Sequence, residues 1–442
     1  MSARSVGRRQ EVSTEVAGAL PQPRDWFGQP RGLTILFLTE MWEIFSYIGM
    51  RVLLVYYMTK QLAIPQQNAS LIYGAYNAFV YFTPIVGGII CDRWLGRRNS
   101  VLLGGSIMAL GHFMMAFEPL FYVALTTIGI GNGLFLPALP SQISGLYGHD
   151  DPRRKTAYNY YYLGVNVGGF LAPLACGTVG EVFGWHWGFT LAGIGMVSGL
   201  VIYVLGGRYL PPEPPRAPPA PSPGRQQTYA SGMARRFALL AGICGMVVIF
   251  RTAYEQVGNT LPLWIEHVDR SVGAAVIPMT WFQSLNPLLV VLLTPLFVAR
   301  WVRHAREGHE LSSIRKMAVG AGGVALAYLL LAAVAAWSGG GVVAGGWIWL
   351  IVFFVVMTAG ELYILPIGLG LFGRLAPTGF AATTIALWFL AAFFGNLLAG
   401  AFGTLWSGMS PPQFFAATAA VAALSGAALL AFNRPAQRAE AE

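Results

Sequence analysis

Long apolar segments recur along almost the whole chain, and they limit its fold more than any other feature. About twelve of them are long enough to cross a hydrocarbon core of roughly 30 Å, which takes about 20 helical residues. Their centres lie near residues 46, 80, 108, 133, 168, 198, 248, 288, 325, 355, 391 and 422. Charged residues make up 11% of the 442 residues, against about 25% in soluble domains. The sequence therefore predicts an all-α integral membrane protein with little room for a soluble domain.

Positive charges are distributed unevenly between alternate loops. If the N-terminus is cytoplasmic, 24 of the 28 lysines and arginines fall on cytoplasmic segments, whereas Lys60 and Arg270 fall outside. Because cytoplasmic loops carry an excess of Lys and Arg, this asymmetry predicts that both termini are cytoplasmic. The charge is spread over many loops rather than one basic face, which weighs against nucleic-acid binding. We expect a multi-pass protein of a bacterial-type inner (plasma) membrane.

A proline-rich segment divides the apolar segments into two sets of six. Residues 211–223 contain eight prolines in thirteen positions, which is typical of an extended spacer. Two six-helix halves joined by a cytoplasmic linker resemble the plan of the major facilitator superfamily. We predict a cytoplasmic N-tail, an N-terminal six-helix bundle, a linker, a C-terminal six-helix bundle and a cytoplasmic C-tail, at residues 1–31, 32–209, 210–235, 236–432 and 433–442 respectively.

The loop after the second apolar segment resembles the cytoplasmic loop motif of that superfamily. Its glycines, acid and arginines include Asp92, Arg93, Gly96 and Arg97. The arginines alone are explained as charges that keep the loop in the cytoplasm. An acidic residue is unnecessary for that purpose, so we predict a gating role for Asp92.

Three charged residues interrupt the first long apolar segment, residues 33–58. Glu40, Glu43 and Arg51 each cost roughly 2.5–3.5 kcal/mol at the centre of a membrane helix on translocon scales. Chains retain such charges where they face a water-filled cavity and handle an ion or a polar substrate. The pattern predicts an ion-coupled transporter, and the alternative for the two acids is a structural hydrogen-bond network between helices.

The chain lacks the motifs of the common enzyme and metal-site classes. Cys91, Cys176 and Cys244 are scattered, with neither metal-ligand spacing nor the even number of a disulfide framework. No Walker-type loop, zinc-protease motif or nucleophile elbow occurs in the sequence. We therefore expect no enzymatic activity, no metal site and no cofactor other than a coupling ion.

Several ordered motifs resemble the signatures of the proton-dependent oligopeptide transporter (POT) family. They lie at residues 39–51, 158–170, 254–256, 281–287, 360–369 and 387–389. The resemblance extends over roughly residues 35–400. It implies a major facilitator fold of 12 transmembrane helices in two six-helix bundles, which acts as a monomer. It also implies alternating access, with a short peptide or peptide-like substrate carried across the bilayer.

The resemblance also implies a peptide-binding cavity between the halves. Asn166, Asn286 and Glu361 would receive the amino terminus of a short peptide. The two asparagines have an alternative role, because Asn often joins helices in membranes. The rest of the cavity wall would be formed by Tyr47, Arg51, Tyr81 and Trp388.

Proton coupling or gating is the second implied task. The resemblance assigns it to Glu40, Glu43, Glu255 and Glu361, and it makes Arg51 and Glu255 a switchable pair between the halves. A permanent ion pair that holds the halves together is the alternative for these two residues. A carboxylate that gains or loses a cation as the halves move would take up or release a proton, which is a physical basis for coupling.

The chain departs from the family pattern at positions that bear on the substrate. Ile44 and Leu136 stand where the family usually has Arg and Lys, and Ile48 and Leu365 replace a Tyr and a Ser. Loss of two cations disfavours a peptide carboxylate in a dry cavity. Arg251 is an added cation, since the family usually has an apolar or aromatic residue at this position. We predict that it meets the anionic group of the substrate, with a local pair to the acid four residues later as the alternative.

The predicted cavity would hold four acids and two cations. Arg51 and Arg251 cannot pair Glu40, Glu43, Glu255 and Glu361, so at least one acid must be protonated or neutralised by a bound cation. Glu361 is the first candidate, because Leu136 replaces its usual lysine partner.

We expect a proton-coupled symporter that imports di- or tripeptides or peptide-like compounds. One alternative keeps the fold and changes the substrate to amines, modified peptides or cationic drugs, with export by proton antiport. A second alternative is a non-transporting ligand sensor, against which the short tails and the lack of an output domain argue.

Overall fold

The computed structural model describes residues 28–148, 151–213, 230–339, 342–343, 345–377 and 380–441. Most of the predicted N-tail and of the proline-rich linker lies outside these ranges. The first helix begins at Arg31, and the first helix of the second half begins at Ala230, inside the segment predicted as linker. The described chain is almost entirely helical, since within lipid each backbone polar group must find its partner inside its own segment.

The first half of the chain forms six long helices. They are α1 (Arg31–Tyr56), α2 (Gln66–Ile90), α3 (Arg97–Met114), α4 (Phe121–Ser141), α5 (Arg154–Ala172) and α6 (Trp185–Leu205). Wider π-helical turns extend α1, α2 and α5 at Tyr57–Gln61, Cys91–Leu95 and Pro173–Gly177. A further helical segment, Thr178–Phe183, completes the extension of α5.

The second half repeats this arrangement. Its helices are α7 (Ala230–Tyr254), α8 (Leu285–Arg306), α9 (Ser313–Trp337), α10 (Gly346–Leu362), α11 (Ala381–Gly403) and α12 (Pro411–Leu430), and α13 (Asn433–Ala441) follows in the predicted C-tail. Short helical pieces extend them at Gln256–Asn259, Leu261–Ile265, Met279–Ser284 and Leu365–Leu375. Between α7 and α8, Ser271–Val272 pairs antiparallel with Ala275–Val276.

Eleven helical segments of the described chain are long and apolar enough to cross a membrane. The helix that falls short is α3, which has 18 residues and carries Arg97 and Arg98 in its first turn. At 1.5 Å per residue it is about 27 Å long. It packs against α4 and α6 and completes the first bundle. The twelve bundle helices therefore agree with the predicted all-α fold of two six-helix bundles.

The hydrophobic cores separate according to the two halves. Phe250, Phe353 and Phe414 belong to one buried cluster, which fills the second bundle, whereas two clusters fill the first. Among the described members of the second-bundle cluster, Tyr56 is the one that comes from the first half. Its hydroxyl donates to the carbonyl oxygen of Pro262 at 3.1 Å. Each half is thus a packed unit, and few side chains cross between them.

The two ends of the molecule differ in how the halves contact each other. We call the end at which α1 and α7 begin the terminal end, and the opposite end the distal end. Across the described residues, the side-chain hydrogen bonds that join the halves lie at mid-height or nearer the distal end. There α2 and α11 nearly touch, because a Cβ at Gly74 would lie 2.5 Å from the Cα of Gly400. The halves are therefore closed against each other at the distal end.

Candidate binding cavity between the two halves

A cavity of about 330 Å³ lies between the halves at mid-height. Helices α1, α2, α5, α7, α8 and α10 contribute its walls. Of the residues that the sequence predicted for substrate binding or coupling, the cavity brings together Tyr47, Arg51, Tyr81, Asn166, Arg251, Glu255, Asn286 and Glu361. The size suits a small molecule, since ligand pockets usually measure about 300–1,000 Å³.

Two arginines converge on one carboxylate at the centre of this cavity. Arg51 donates from Nη2 to Oε2 of Glu255 at 2.7 Å, and Arg251 donates from Nη1 to Oε1 of the same group at 2.9 Å. Arg51 also donates from Nε to the hydroxyl of Tyr73 at 2.8 Å. The three charged groups together carry a net charge of +1. Since a charge in a dry site needs a partner, this arrangement favours an added anion.

Arg251 is largely buried against an aromatic ring of the other half. Its side chain is 8% exposed, and its Nε has no hydrogen-bond partner among the described residues. The guanidinium lies over the ring of Tyr81, with 5.4 Å between its Cζ and the ring centroid. Arg251 is on α7 and Tyr81 on α2, so this cation–π contact joins the two halves. The ring holds the guanidinium at the cavity wall.

An acidic group forms the other charged part of the cavity. Glu361 accepts a hydrogen bond from Nδ2 of Asn286 at 2.5 Å, and the same amide donates to Oγ1 of Thr358 at 3.1 Å. The hydroxyl of Tyr254 lies beside the Glu361 carboxylate. No described cation lies within 4.0 Å of Glu361. The carboxylate is therefore held by neutral donors and can bind a ligand cation.

Asn166 lies on the α5 wall of the cavity. Its Nδ2 donates to the carbonyl oxygen of Tyr162 one turn earlier at 2.9 Å. Tyr47 donates from its hydroxyl to Oδ1 of Asn77 at 3.2 Å. Both predicted residues therefore border the cavity with polar groups that are already oriented by neighbouring residues.

Comparison with known proteins decides the family. The sequence profile of the POT family (PTR2) matches residues 98–238 and 225–415. A di-/tripeptide transporter of Lactococcus lactis subsp. cremoris is 30% identical over an alignment that covers 93% of this chain and 97% of that protein. The chain belongs to the POT family.

Solved structures of POT transporters have the same fold. The crystal structure of a peptide transporter POT in complex with sulfate has a TM-score of 0.86 and 28% identity, covering 95% of this chain and 97% of that one. A POT family transporter in complex with a thioalcohol-conjugated peptide has a TM-score of 0.85 and 25% identity, covering 94% and 98%. This POT family member is thus a multi-pass membrane transporter of the major facilitator type, and it is not an enzyme.

Glu40 and Glu43 occupy a second buried site in this POT transporter. They are 3% and 2% exposed, and neither lines the cavity in which the sequence placed them. One carboxylate oxygen of each has no hydrogen-bond partner in the described structure. The Glu40 carboxylate lies next to Tyr161, and Glu43 lies near Glu40. Arg51 and Arg251 both pair with Glu255. Glu40 and Glu43 are therefore buried without a cationic partner among the described residues.

The replaced family positions lie in different places. Ile44, Ile48 and Leu365 line the cavity. A Cβ on Gly169 would be 3.9 Å from Cγ2 of Ile44 and 3.4 Å from Cβ of Pro287, so Ile44 packs against α5 near its contact with α8. Leu136 is partly buried and is not among the cavity residues described. The lost polarity is thus concentrated on the α1 and α10 walls.

Trp388 is a correction to the predicted cavity wall. It is 6% exposed, and its ring packs edge-on against Phe372 with 5.2 Å between centroids. A Cβ on Gly368 would lie 2.4 Å from this ring, so the glycine makes room for it. The indole fills the core between α10 and α11 and does not border the described cavity. Spacing along α11 could not reveal which way that helix was rotated.

The loop motif lies at the surface of the terminal end, and the gating role of Asp92 stays a prediction. Asp92 is exposed, and within the described residues it forms no ion pair with the second half. Glu213, which the sequence reasoning missed, accepts from the backbone N–H groups of Arg97 and Arg98 instead. Gly96, at φ +77°, precedes them and turns the chain into α3. The start of the linker thereby caps α3, which no local sequence signal indicates.

Three tyrosines of the site were not assigned from the sequence. Tyr73 binds Arg51, Tyr162 lines the cavity beside Asn166, and Tyr254 lies beside Glu361. The motifs at residues 158–170 and 254–256 contain two of them. Aromatic residues at this depth usually pack against neighbours, so their identity alone could not single them out.

Proposed function

We propose that this protein is a proton-coupled symporter that imports di- or tripeptides or peptide-like compounds by alternating access. The observation that carries the proposal is a cavity with two charged poles. The cationic pole consists of Arg51, Glu255 and Arg251, and the acidic pole consists of Glu361 and Asn286. A short peptide is a zwitterion with the matching pair of charges. Names of relatives support this substrate class, because the Lactococcus protein is a di-/tripeptide transporter.

The peptide carboxylate is assigned to Arg251. The chain has no cation at Ile44 or Leu136, so the family's usual partners for this group are missing. Arg251 supplies a largely buried guanidinium that lines the cavity. Hydrogen bonds between ionised groups are roughly twice as strong as neutral ones, which makes this guanidinium the favoured contact for the carboxylate.

Coupling between substrate and proton follows from competition between the substrate carboxylate and Glu255 for Arg251. When a substrate carboxylate binds Arg251, Glu255 loses one of its two cationic partners. A carboxylate that loses a cation in a dry site binds a proton more tightly. Substrate and proton would then enter the cavity together, and Glu255 would release the proton when Arg251 returns. The proton is the coupling ion, and the transporter needs no other cofactor.

Direction follows from the predicted topology. Both termini are assigned to the cytoplasm from the distribution of Lys and Arg. The terminal end then faces the cytoplasm, and the distal end, where the halves are closed, faces outward. The described arrangement corresponds to an inward-facing state of a monomer in a bacterial-type inner membrane.

Uptake into proteoliposomes with an imposed inward proton gradient tests the proposal. We expect gradient-driven uptake of labelled di-alanine, much weaker uptake of its C-terminal amide, and loss of the difference between them in Arg251→Gln. Arg303→Gln is the matched control, because Arg303 forms an exposed pair with Glu307 far from the cavity. Uptake of di-alanine that is unchanged in Arg251→Gln would contradict the assignment of the carboxylate site.

A second candidate function is transport of amines or of peptides without a free carboxylate. Ile44 and Leu365 line the cavity, and Glu361 keeps an unpaired carboxylate, so a cationic substrate also finds a partner. Uptake of the di-alanine amide alone would favour this candidate. Uptake of the amide driven by an outward proton gradient, with protons leaving the vesicle as the amide enters, would indicate proton antiport and therefore export.

A further inference from the structure

A carboxylate of the first half receives three hydrogen bonds from the second half at the distal end. Glu181, in the extension of α5, accepts from the backbone N–H of Met279 at 3.0 Å and from that of Thr280 at 2.9 Å. The hydroxyl of Thr280 donates to the same carboxylate at 2.8 Å. No part of the proposed substrate site uses Glu181, which lies outside the cavity.

The surrounding chain is shaped for this contact. Trp281 donates from Nε1 to Oγ1 of Thr178 at 2.7 Å, which adds a second cross-half bond one turn away. A Cβ at Gly177 would lie 2.0 Å from Oγ1 of Thr280, so only a glycine allows this approach. The end of α5 and the start of α8 are therefore in direct contact at this point.

The chemistry of the helix start explains why an acid is suited to this position. Met279 and Thr280 open the helical segment that continues into α8, and the first N–H groups of a helix have no partner inside it. A carboxylate from the other half satisfies them with charge-assisted bonds. If the halves separated at the distal end, these bonds would break together.

The other contacts between the halves at the distal end are weaker types of interaction than the hydrogen bonds of Glu181. Gln66 donates to the carbonyl oxygen of Gly403 at 2.9 Å, and Gln67 donates to Ser407 at 3.1 Å, both between neutral groups. Lys60 and Glu266 form a charged pair at 3.3 Å, but the two side chains are 38% and 29% exposed, so solvent weakens their attraction. Glu181 combines charge, three donors and partial burial in one place.

We propose that Glu181 is a further functional residue for transport. It holds the two halves together at the distal end, and we call it the latch of the distal gate, the contact between the halves at that end. Its carboxylate stabilises the state in which the halves are closed at the distal end and the cavity faces the terminal end. Loss of that carboxylate shifts the population towards separated distal ends. The proposal concerns the gate and goes beyond the assigned substrate, since it holds whatever molecule the cavity carries.

Distances between spin labels across the distal end test the latch without any substrate. Labels at Tyr122→Cys and Val342→Cys report on the two halves, because both positions are exposed at this end and the three native cysteines are buried. In Glu181→Gln we expect the ratio of separated to closed distances to rise on the order of tenfold, because charged hydrogen bonds are lost. Glu118→Gln is the matched control, since the partners of Glu118, Gln61 and His186, belong to its own half.

The possible outcomes distinguish a specific role of Glu181 from a general effect of removing a carboxylate at the distal end. A wild-type distance distribution in Glu181→Gln, or an equal shift in Glu118→Gln, would overturn the proposal. Thr280→Val removes one of the three bonds and should give a smaller shift of the same sign. If Glu181→Gln fails to fold, Thr280→Val carries the test, and no shift in that variant overturns the latch. Peptide uptake does not enter the readout, so failure of the latch and failure of the proposed substrate remain distinguishable.

Discussion

The two poles of the cavity are built from different parts of the chain. The cationic pole joins both halves, since Arg51, Tyr73 and Tyr81 come from the first and Arg251 and Glu255 from the second. The acidic pole lies in the second half alone, where Glu361 is held by donors from α7 and α8.

This difference assigns different tasks to the poles. Movement of the halves must rearrange the cationic pole, because its ion pair and its cation–π contact both cross the interface. The acidic pole can move as a unit with the second bundle. We therefore expect coupling to depend on the cationic pole and substrate retention on the acidic one.

The largest effect should follow from removing the carboxylate shared by the two arginines. Glu255→Gln leaves two largely buried guanidinium groups without an anion, which costs about 3–5 kcal/mol for a buried pair that loses one partner. We expect a lower unfolding temperature and no gradient-driven uptake. Glu307→Gln, in an exposed pair, should change stability by less than about 1 kcal/mol. Equal unfolding temperatures for the two variants would argue against the cationic pole as a structural centre.

The next effect concerns the acidic pole. Glu361→Gln removes a charged partner for the substrate ammonium, worth roughly 1.5–3 kcal/mol, or about 10- to 100-fold in apparent affinity for di-alanine. Counterflow without a proton gradient measures this affinity separately from coupling. Glu310→Gln, paired with Lys316 on the surface of the terminal end, is the control. An unchanged affinity in Glu361→Gln would place the ammonium elsewhere.

A smaller effect is expected at the aromatic support of Arg251. Tyr81→Leu removes a cation–π contact worth roughly 0.5–2 kcal/mol, so the KM for di-alanine should rise about 2- to 30-fold. Tyr81→Phe keeps the ring and should restore most of the affinity. The KM for the di-alanine amide should change little in either variant. Equal losses for both substrates would mean that Tyr81 contacts the peptide itself.

The smallest effects should come from the loop between α2 and α3, which lies at the terminal end, far from both poles. Asp92→Asn alters an exposed side chain and should change stability by less than about 0.5 kcal/mol. Glu213→Gln weakens the cap on α3 and should cost about 1 kcal/mol. Thermal unfolding of the two variants compares them directly. A strong transport defect in Asp92→Asn with normal stability would restore the predicted gating role of that residue.

Local sequence patterns predicted those contacts that lie within one helix. Arg251 and Glu255 are four residues apart, so helical geometry places them on one face, and the structure joins them at 2.9 Å. The expectation that two arginines could not pair four acids also holds. That both would bind the same acid was not predictable, because it depends on how α1 and α7 face each other across the halves.

Contacts between distant segments were missed for the same reason. Glu213 caps a helix that begins more than a hundred residues earlier, and Glu181 binds Thr280 across the interface. Trp388 faces the core because of the rotation of α11 about its own axis. A one-dimensional pattern contains the residue types but neither the rotation of a helix nor its neighbours.

The sequence by itself determined the twelve helices, the division into two bundles and the family, because lipid requires apolar helices of fixed length and motifs retain their order along the chain. Only the tertiary structure decided which charges meet. It placed Arg51 and Arg251 on one carboxylate, left Glu40 and Glu43 together in a separate buried site, and closed the distal end through Glu181. Ion pairing in a dry interior depends on distances of a few ångströms, and those are fixed by helix packing rather than by sequence separation.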